Sequence, residues 1–293
     1  MVAAAVAPPS VGHDVERIAR IRSDRWIAYP RALQALERLH ELFEYPRRLR
    51  MPNLLIIGPT NNGKSMIAEK FRRDLFGAPA QTAAASQPVL IVQMPASPDV
   101  RTVMGALLGA IGLTPFSSQN LAGREYTLVK ALRTSGVRMI IIDELHNMPA
   151  AHARQQHQLL NLLHWLGNEL QVPQVCIGTR DAYLALRTDD QLENRFEPFV
   201  LSPWSHGPEF SALLTSFEQA LQLEQSSDLG APSLSAVILL KTDGIIGEVA
   251  TLLARAAVHA IRTGVERIDR HIVDACGHES PSERRRSMER ALW

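Results

Sequence analysis

Cysteine is almost missing from this chain: Cys176 and Cys276 are the only two among 293 residues. They stand far apart, with no C-x-x-C pair and no histidines at metal-ligand spacing. That excludes a disulfide framework and a zinc site, and reads as two buried, reduced thiols. A run of about 20 apolar residues, the length needed to cross a bilayer, is also missing. The opening MVAAAVAPPSVG is small and apolar, but lacks the basic start and long apolar centre of a signal peptide. The expectation is a cytoplasmic protein with no membrane partner, residues 1–13 forming a disordered leader. Excess charge of one sign is absent too: 31 Lys and Arg against 30 Asp and Glu leave a net charge of +1. Bulk positive charge therefore cannot hold a nucleic acid, and any such contact has to come from a local patch, repeated across subunits.

What is present is ample core material, 46% hydrophobic residues, enough for one large domain and a smaller one. Leu33, Leu36, Leu39 and Phe43 recur at helical spacing between Pro30 and Tyr45. A basic turn with Arg47, Arg48 and Arg50 follows, then the wholly apolar Asn53–Ile57, which suits a strand buried on both faces. Further strands are expected at Val89–Met94, Met139–Ile142, Gln174–Gly178 and Phe199–Leu201. Helices are expected at Met66–Phe76, from Pro98 to Gly112, and at Leu121–Thr134, His152–Leu170, Asp181–Leu186 and Asp190–Arg195. Gly77–Pro88 reads as a surface loop. This alternation predicts an α/β fold with a five-stranded parallel sheet flanked by helices. After Pro203 only helical patterns remain, at Pro208–Leu223, Ser233–Leu240, Ile246–Thr263 and Asp269–Cys276. The expected organisation is an N-terminal arm and core over 14–203, a small helical lid domain over 204–277, and a basic tail over 278–293.

The chemistry is concentrated at strand ends. Gly58-Pro59-Thr60-Asn61-Asn62-Gly63-Lys64-Ser65 fits G-x-x-x-x-G-K-[ST], directly after a predicted strand and opening a predicted helix that begins at Met66. Glycines let such a loop curl so that its amides and the helix N-terminus point at phosphate oxygens. Lys64 would then reach the outer phosphates of ATP, and the Ser65 hydroxyl would bind Mg²⁺. Met139–Ile142 runs into Asp143 and Glu144, a strand ending in two carboxylates at the sheet edge where ligands bind. Asp143 would hold the magnesium, while Glu144 would orient and deprotonate the attacking water. A solvated pair capping the next helix is the plainer reading of the same two residues.

Two more residues read in two ways. Thr179, after the fourth strand, is either a polar sensor between Glu144 and the outer phosphate or a helix N-cap. Arg195 is either an arginine finger supplied to a neighbouring subunit or half of a surface salt bridge with Glu193 or Glu197.

In this order of motifs the chain resembles the AAA+ ATPases, and more narrowly the TniB/TnsC group of transposition proteins related to MuB and IstB. The residues that carry the resemblance are Asp24–Ala32, Met51–Ser65, Ile142–Asn147, Gly178–Tyr183 and Asn194–Phe199. The resemblance implies a regulatory ATPase, cytoplasmic and DNA-associated in a bacterium, that assembles on duplex DNA as a ring or helical filament. Its implied partners are a DDE-type transposase and a TniQ-like adaptor. It also implies that Pro95–Thr102 faces DNA, with Arg101 and Thr102 as backbone contacts and Lys130 and Arg133 as weaker additions. Trp26, Ile27 and Tyr29 would line the adenine pocket, unless they simply pack an N-terminal arm. His146 and Asn147 would couple Glu144 to DNA occupancy, although Asn147 also suits a helix cap. Glu248 stands where many AAA+ lids carry a phosphate-sensing arginine, which puts a second sensor in doubt. Rival readings are a helicase loader acting on single strands and a nucleotide-switch signalling protein.

Overall fold

The structure, a computed structural model, describes residues 11–77, 87–114, 120–150, 153–189 and 193–292. Two compact units divide the chain: residues 30–202, and residues 1–29 together with 203–293. The arm expected to belong to the core thus groups with the C-terminal helices. Its helix α1 (Val11–Arg22) begins inside the stretch expected to be disordered, and residues 1–10 lie outside the described part.

In the larger unit, α2 (Pro30–Glu44) precedes β1 (Asn53–Ile57), α3 (Lys64–Phe76), β2 (Val89–Gln93), α4 (Val100–Ala110) and α5 (Leu121–Thr134). Strand β3 (Met139–Asp143) is followed by a 3-10 turn (Leu145–Ala150), α6 (Ala153–Leu170), β4 (Gln174–Gly178), α7 (Arg180–Leu186) and β5 (Phe196–Val200). The expected helix at Asp190–Arg195 falls partly on residues 190–192, outside the described residues. All five strands are parallel, in the order β2-β3-β4-β1-β5. Every residue of β1, β3 and β4 is buried, as continuous apolar runs demand when helices cover both faces. The edge strand β5 begins three residues before its expected start and contains Pro198. A strand with one neighbour tolerates proline, because the missing N–H can face away from the ladder.

One continuous core runs from Leu55 and Leu90 through Leu107, Leu128, Ile140 and Leu163 to Phe196. Cys176 lies inside the sheet, fully buried, and burial pushes its thiol far up; Cys276 is half-buried. Helix starts follow local chemistry. Asp99 caps α4, its carboxylate accepting from the Thr102 amide while the Thr102 hydroxyl accepts from the Asp99 amide. The side chain of Asn120 caps α5.

The smaller unit contains α1 and α8 (Pro208–Leu221), α9 (Pro232–Thr242), α10 (Ile246–Thr263), α11 (Arg270–Ala275) and α12 (Pro281–Leu292). Arg17 of α1 forms a two-pronged ion pair with Glu266, at 2.9 and 2.6 Å. Gly244 turns at φ 68°, and a Cβ there would lie 2.3 Å from the Trp204 carbonyl oxygen, so only glycine fits. The basic tail is helical over Pro281–Leu292. Ser280 and Glu283 cap α12 reciprocally, Ser282 bonds Asp243, and Arg284 reaches Glu248 at 2.9 Å. Among the described residues no helix is long and apolar enough to cross a membrane.

Candidate nucleotide-binding and hydrolysis site

The phosphate loop departs from the buried end of β1. Gly58 donates its amide to the Gly178 carbonyl at 3.2 Å, and a Cβ on Gly58 would meet the Leu201 carbonyl oxygen at 2.6 Å. Asn61 and Gly63 sit at φ 62° and 77°, the curl that turns successive amides inward. Asn62 is buried and ties the loop to the end of β5, donating from Nδ2 to the Leu201 carbonyl at 2.8 Å. Lys64 starts α3 with only 8% of its surface exposed. Its Nζ donates to the carbonyls of Gly58 and Pro59 at 2.9 and 2.5 Å. Burial pulls the Lys64 ammonium below its usual range, against the attraction of Asp143 and Glu144. A desolvated cation folded back on its own loop is suited to exchange those carbonyls for phosphate oxygens. Ser65 and Thr60 are exposed, and Pro59 and Met66 half-buried, along the same loop.

Asp143 closes β3, 5% exposed, and its Oδ1 accepts from the Glu144 amide at 2.7 Å. That bond supports an unusual backbone, since Glu144 has φ 57°, a left-handed conformation that non-glycine residues avoid. The turn aims the Glu144 side chain away from the strand, where its Oε2 lies 2.9 Å from His146 Nε2. Asn147 donates to the Met94 carbonyl just beyond β2 at 3.0 Å, so this loop and the end of β2 are joined. Asn147 also donates its amide to the Glu144 carbonyl at 2.9 Å. A magnesium ion fits this arrangement. Among the described residues no three carboxylates, histidines or cysteines cluster as a metal cage, and Mg²⁺ needs only one or two protein oxygens beside phosphates and water.

Thr179 lies at the N-cap of α7, but its side chain makes no capping bond. Its hydroxyl stands half-exposed beside Gly178, whose strand position pairs with Ile57. Arg195 is at the other end of the sheet, its carbonyl accepting from the Asn53 amide at 3.0 Å. Neither expected salt bridge forms: Glu193 pairs with Arg187 and Glu197 with Arg38. Instead Arg195 Nη1 donates to Asn168 Oδ1 at 3.0 Å. Burial, then the charge of Arg50, holds Arg195 below the usual guanidinium range, with Asp189 opposing.

Residues 17–206 match the family model described as bacterial TniB protein. The chain belongs to the TniB family. Its fold is also that of solved AAA+ ATPases. It is similar to Cdc6p from Pyrobaculum aerophilum (TM-score 0.63, 16% identity, covering 85% of this chain and 67% of that one). Aeropyrum pernix ORC1 in complex with DNA gives TM-score 0.62 and 19% identity, covering 88% and 68% of the two chains. Aeropyrum pernix ORC2, with ADPNP and ADP, gives 0.61 and 16%, covering 88% and 70%. Comparison with curated proteins returns no match.

The other TniB-derived expectations are distributed as follows. Arg101 is exposed on the first turn of α4, whereas the Thr102 hydroxyl is engaged in the helix cap. Lys130 lies 6.0 Å from the Tyr126 ring. Arg133 donates to the Glu169 carbonyl at 2.5 Å on the α6 side. Trp26, Ile27 and Tyr29 belong to the helical unit, where Tyr29 is buried edge-on to Trp204 at 5.3 Å and burial raises its phenol to about 12. Glu248 is buried and paired with Arg284. Sequence reading missed Asn168, the partner of Arg195, because nothing local marks a contact 27 residues away.

Proposed function

We propose that this TniB protein is a regulatory ATPase that binds ATP with Mg²⁺, assembles on duplex DNA as a ring or helical filament, and recruits or activates a DDE-type transposase. A TniQ-like adaptor is its second protein partner, and hydrolysis dismantles the assembly. The observation that supports the ATPase reading is the buried Lys64 ammonium folded back on the phosphate loop, its Nζ donating to the Gly58 and Pro59 carbonyls, with Asp143 and Glu144 near enough to attract its charge. Phosphate-gripping cation and water-activating carboxylate follow the C-terminal ends of β1 and β3, the two strands that flank β4.

Lys64 and the loop amides would hold the outer phosphates, and Ser65 with Asp143 would hold the magnesium. When bound, the ion neutralises charge that develops between the outer two phosphates. Glu144 orients a water in line and accepts its proton as the oxygen bonds to the γ-phosphorus. The bond from that phosphorus to the bridging oxygen breaks, and ADP leaves with the electron pair. The Thr179 hydroxyl, unused as a cap, is suited to report whether the γ-phosphate is present.

Arg195 acts in trans on this reading. It precedes β5 at the end of the sheet opposite the phosphate loop, and the five residues of β1 separate the two by roughly 17 Å. An arginine side chain does not span that, so its phosphate has to belong to a second copy. The segment after β2 is the proposed DNA face, with Arg101 as a backbone contact and Lys130 and Arg133 as lesser ones. Asn147 links that segment, through Met94, to the loop that carries His146 and Glu144. The similar Aeropyrum ORC1 was solved in complex with DNA, which supports a DNA-directed reading of the fold.

Electron microscopy of the protein with duplex DNA tests the reading. Ordered assemblies are expected with a non-hydrolysable ATP analogue and not with ADP. Assemblies that ignore the nucleotide, or that form only on single strands, would remove it.

A further inference from the structure

The basic edge of the sheet contains more arginine than a single finger requires. Arg195 lines a cavity of about 850 Å³ with Arg48, Arg50, Asn53, Glu193 and Glu197. Both acids in that wall are engaged elsewhere, Glu193 with Arg187 at 2.7 Å and Glu197 with Arg38 at 2.9 Å. Arg48 is pinned, donating from Nε to the Arg50 carbonyl at 2.7 Å and lying 4.8 Å from the Tyr45 ring. Arg50 is different: among the described residues its guanidinium makes no hydrogen bond or ion pair. Its charge is nevertheless felt by Arg195 and by His164, both of which it disfavours in the charged form.

Two guanidinium groups thus share one concavity whose two lining carboxylates are paired with other arginines, and only the more distant charge of Asp189 favours Arg195. Like charges so placed repel, and an anion entering between them removes that repulsion while gaining forked hydrogen bonds. The cavity is far larger than one phosphate, so it admits the anion together with the protein loop that carries it. We infer that Arg50 acts beside Arg195 as a second trans-acting phosphate ligand, the pair receiving the terminal phosphate of a nucleotide bound by a neighbouring copy of this chain. Arg50 forms and breaks no covalent bond. It holds outer phosphate oxygens as charge shifts toward the leaving group. This inference rests on the reading of Arg195 as a finger supplied in trans.

Arg50→Ala, Arg50→Lys and Arg195→Ala are compared for Mg²⁺–ATP affinity, using a fluorescent ATP analogue, and for turnover on duplex DNA. Arg50→Ala is expected to bind nucleotide within about twofold of wild type and to turn over roughly ten- to hundredfold more slowly. Arg50→Lys should recover part of the loss, a point charge replacing a fork. Mixing Arg50→Ala with Glu144→Gln should raise turnover above the sum of the two alone, because the second protein donates intact arginines to the first. Wild-type turnover in Arg50→Ala, or failure of that mixture, overturns the inference. So does an equal loss of duplex affinity without nucleotide, which would make the pocket a DNA-phosphate site. If Arg195→Ala is also neutral or not rescued, the trans reading itself fails; if Arg195→Ala behaves as expected and Arg50→Ala does not, only the role of Arg50 is lost.

Discussion

Replacing His146 by alanine removes an imidazole that lies against the proposed catalytic carboxylate, and its effect can be estimated. The Glu144–His146 contact is 2.9 Å long, with the two side chains 42% and 29% exposed. A contact between charged groups as exposed as these contributes about 0.2–1 kcal/mol. If that contact holds Glu144 away from the water it must activate, its loss raises the active population by up to roughly fivefold. Steady-state phosphate release without DNA should therefore rise by that factor in His146→Ala. The rate on saturating duplex should stay near wild type, so the stimulation ratio falls. A thermal melt close to wild type would show that the loop remains folded. An unchanged or slower basal rate would refute the reasoning, and would make His146 a residue that presents Glu144 rather than restrains it.

Three other outcomes follow from the same geometry. Glu144→Gln keeps the size of the side chain but cannot accept a proton, so duplex-bound assemblies should persist in ATP, as seen by a filter or pelleting assay over time. In Gly58→Ala the new methyl would lie 2.6 Å from the Leu201 carbonyl oxygen; shifting the loop should cost about 1–3 kcal/mol, read as a lower melting temperature with weakened ATP-analogue binding. Glu266→Gln should destabilise the helical unit by about 2–4 kcal/mol at neutral pH, since Arg17 is left buried without its partner. The hydrogen bond from Arg17 holds the Glu266 carboxyl below its ordinary 4.5. Its contribution is therefore complete above pH 4.5 and lost as pH falls through the lower folded value, so melts of the two proteins should converge in acid.

Sequence carried the nucleotide half of the site well because two independent constraints coincide there. Asn53–Ile57 and Met139–Ile142 are apolar enough to need burial on both faces, and each runs into groups suited to a phosphate or a cation. The boundaries that went astray have physical causes. Pro198 suggests a break, yet β5 is an edge strand and absorbs it. The helix in the basic tail has its own cause: Ser280 and Glu283 form a capping box, and Arg284 finds the buried Glu248. The choice between a salt bridge and a finger at Arg195 had no local solution. The salt-bridge alternative depends on contacts far along the chain: Arg187 pairs with Glu193, and Arg38 meets Glu197 across 159 residues.

Those captured acids connect the two ends of the sheet. A parallel sheet gathers all its strand C-termini at one edge, and here that edge has Lys64, Asp143, Glu144 and Thr179. The opposite edge would be chemically idle if acids neutralised its arginines. Instead Arg187 and Arg38 draw off Glu193 and Glu197, leaving Arg50 and Arg195 facing a common cavity. Because β1 is rigid and its ends lie roughly 17 Å apart, no rearrangement short of breaking the sheet brings those arginines to the phosphate loop of the same copy. On the proposed reading one edge would hold the nucleotide and the other would supply the charge that stabilises its cleavage, so a complete hydrolytic site would exist only between copies, and whatever aligns copies, such as a DNA duplex, would control turnover.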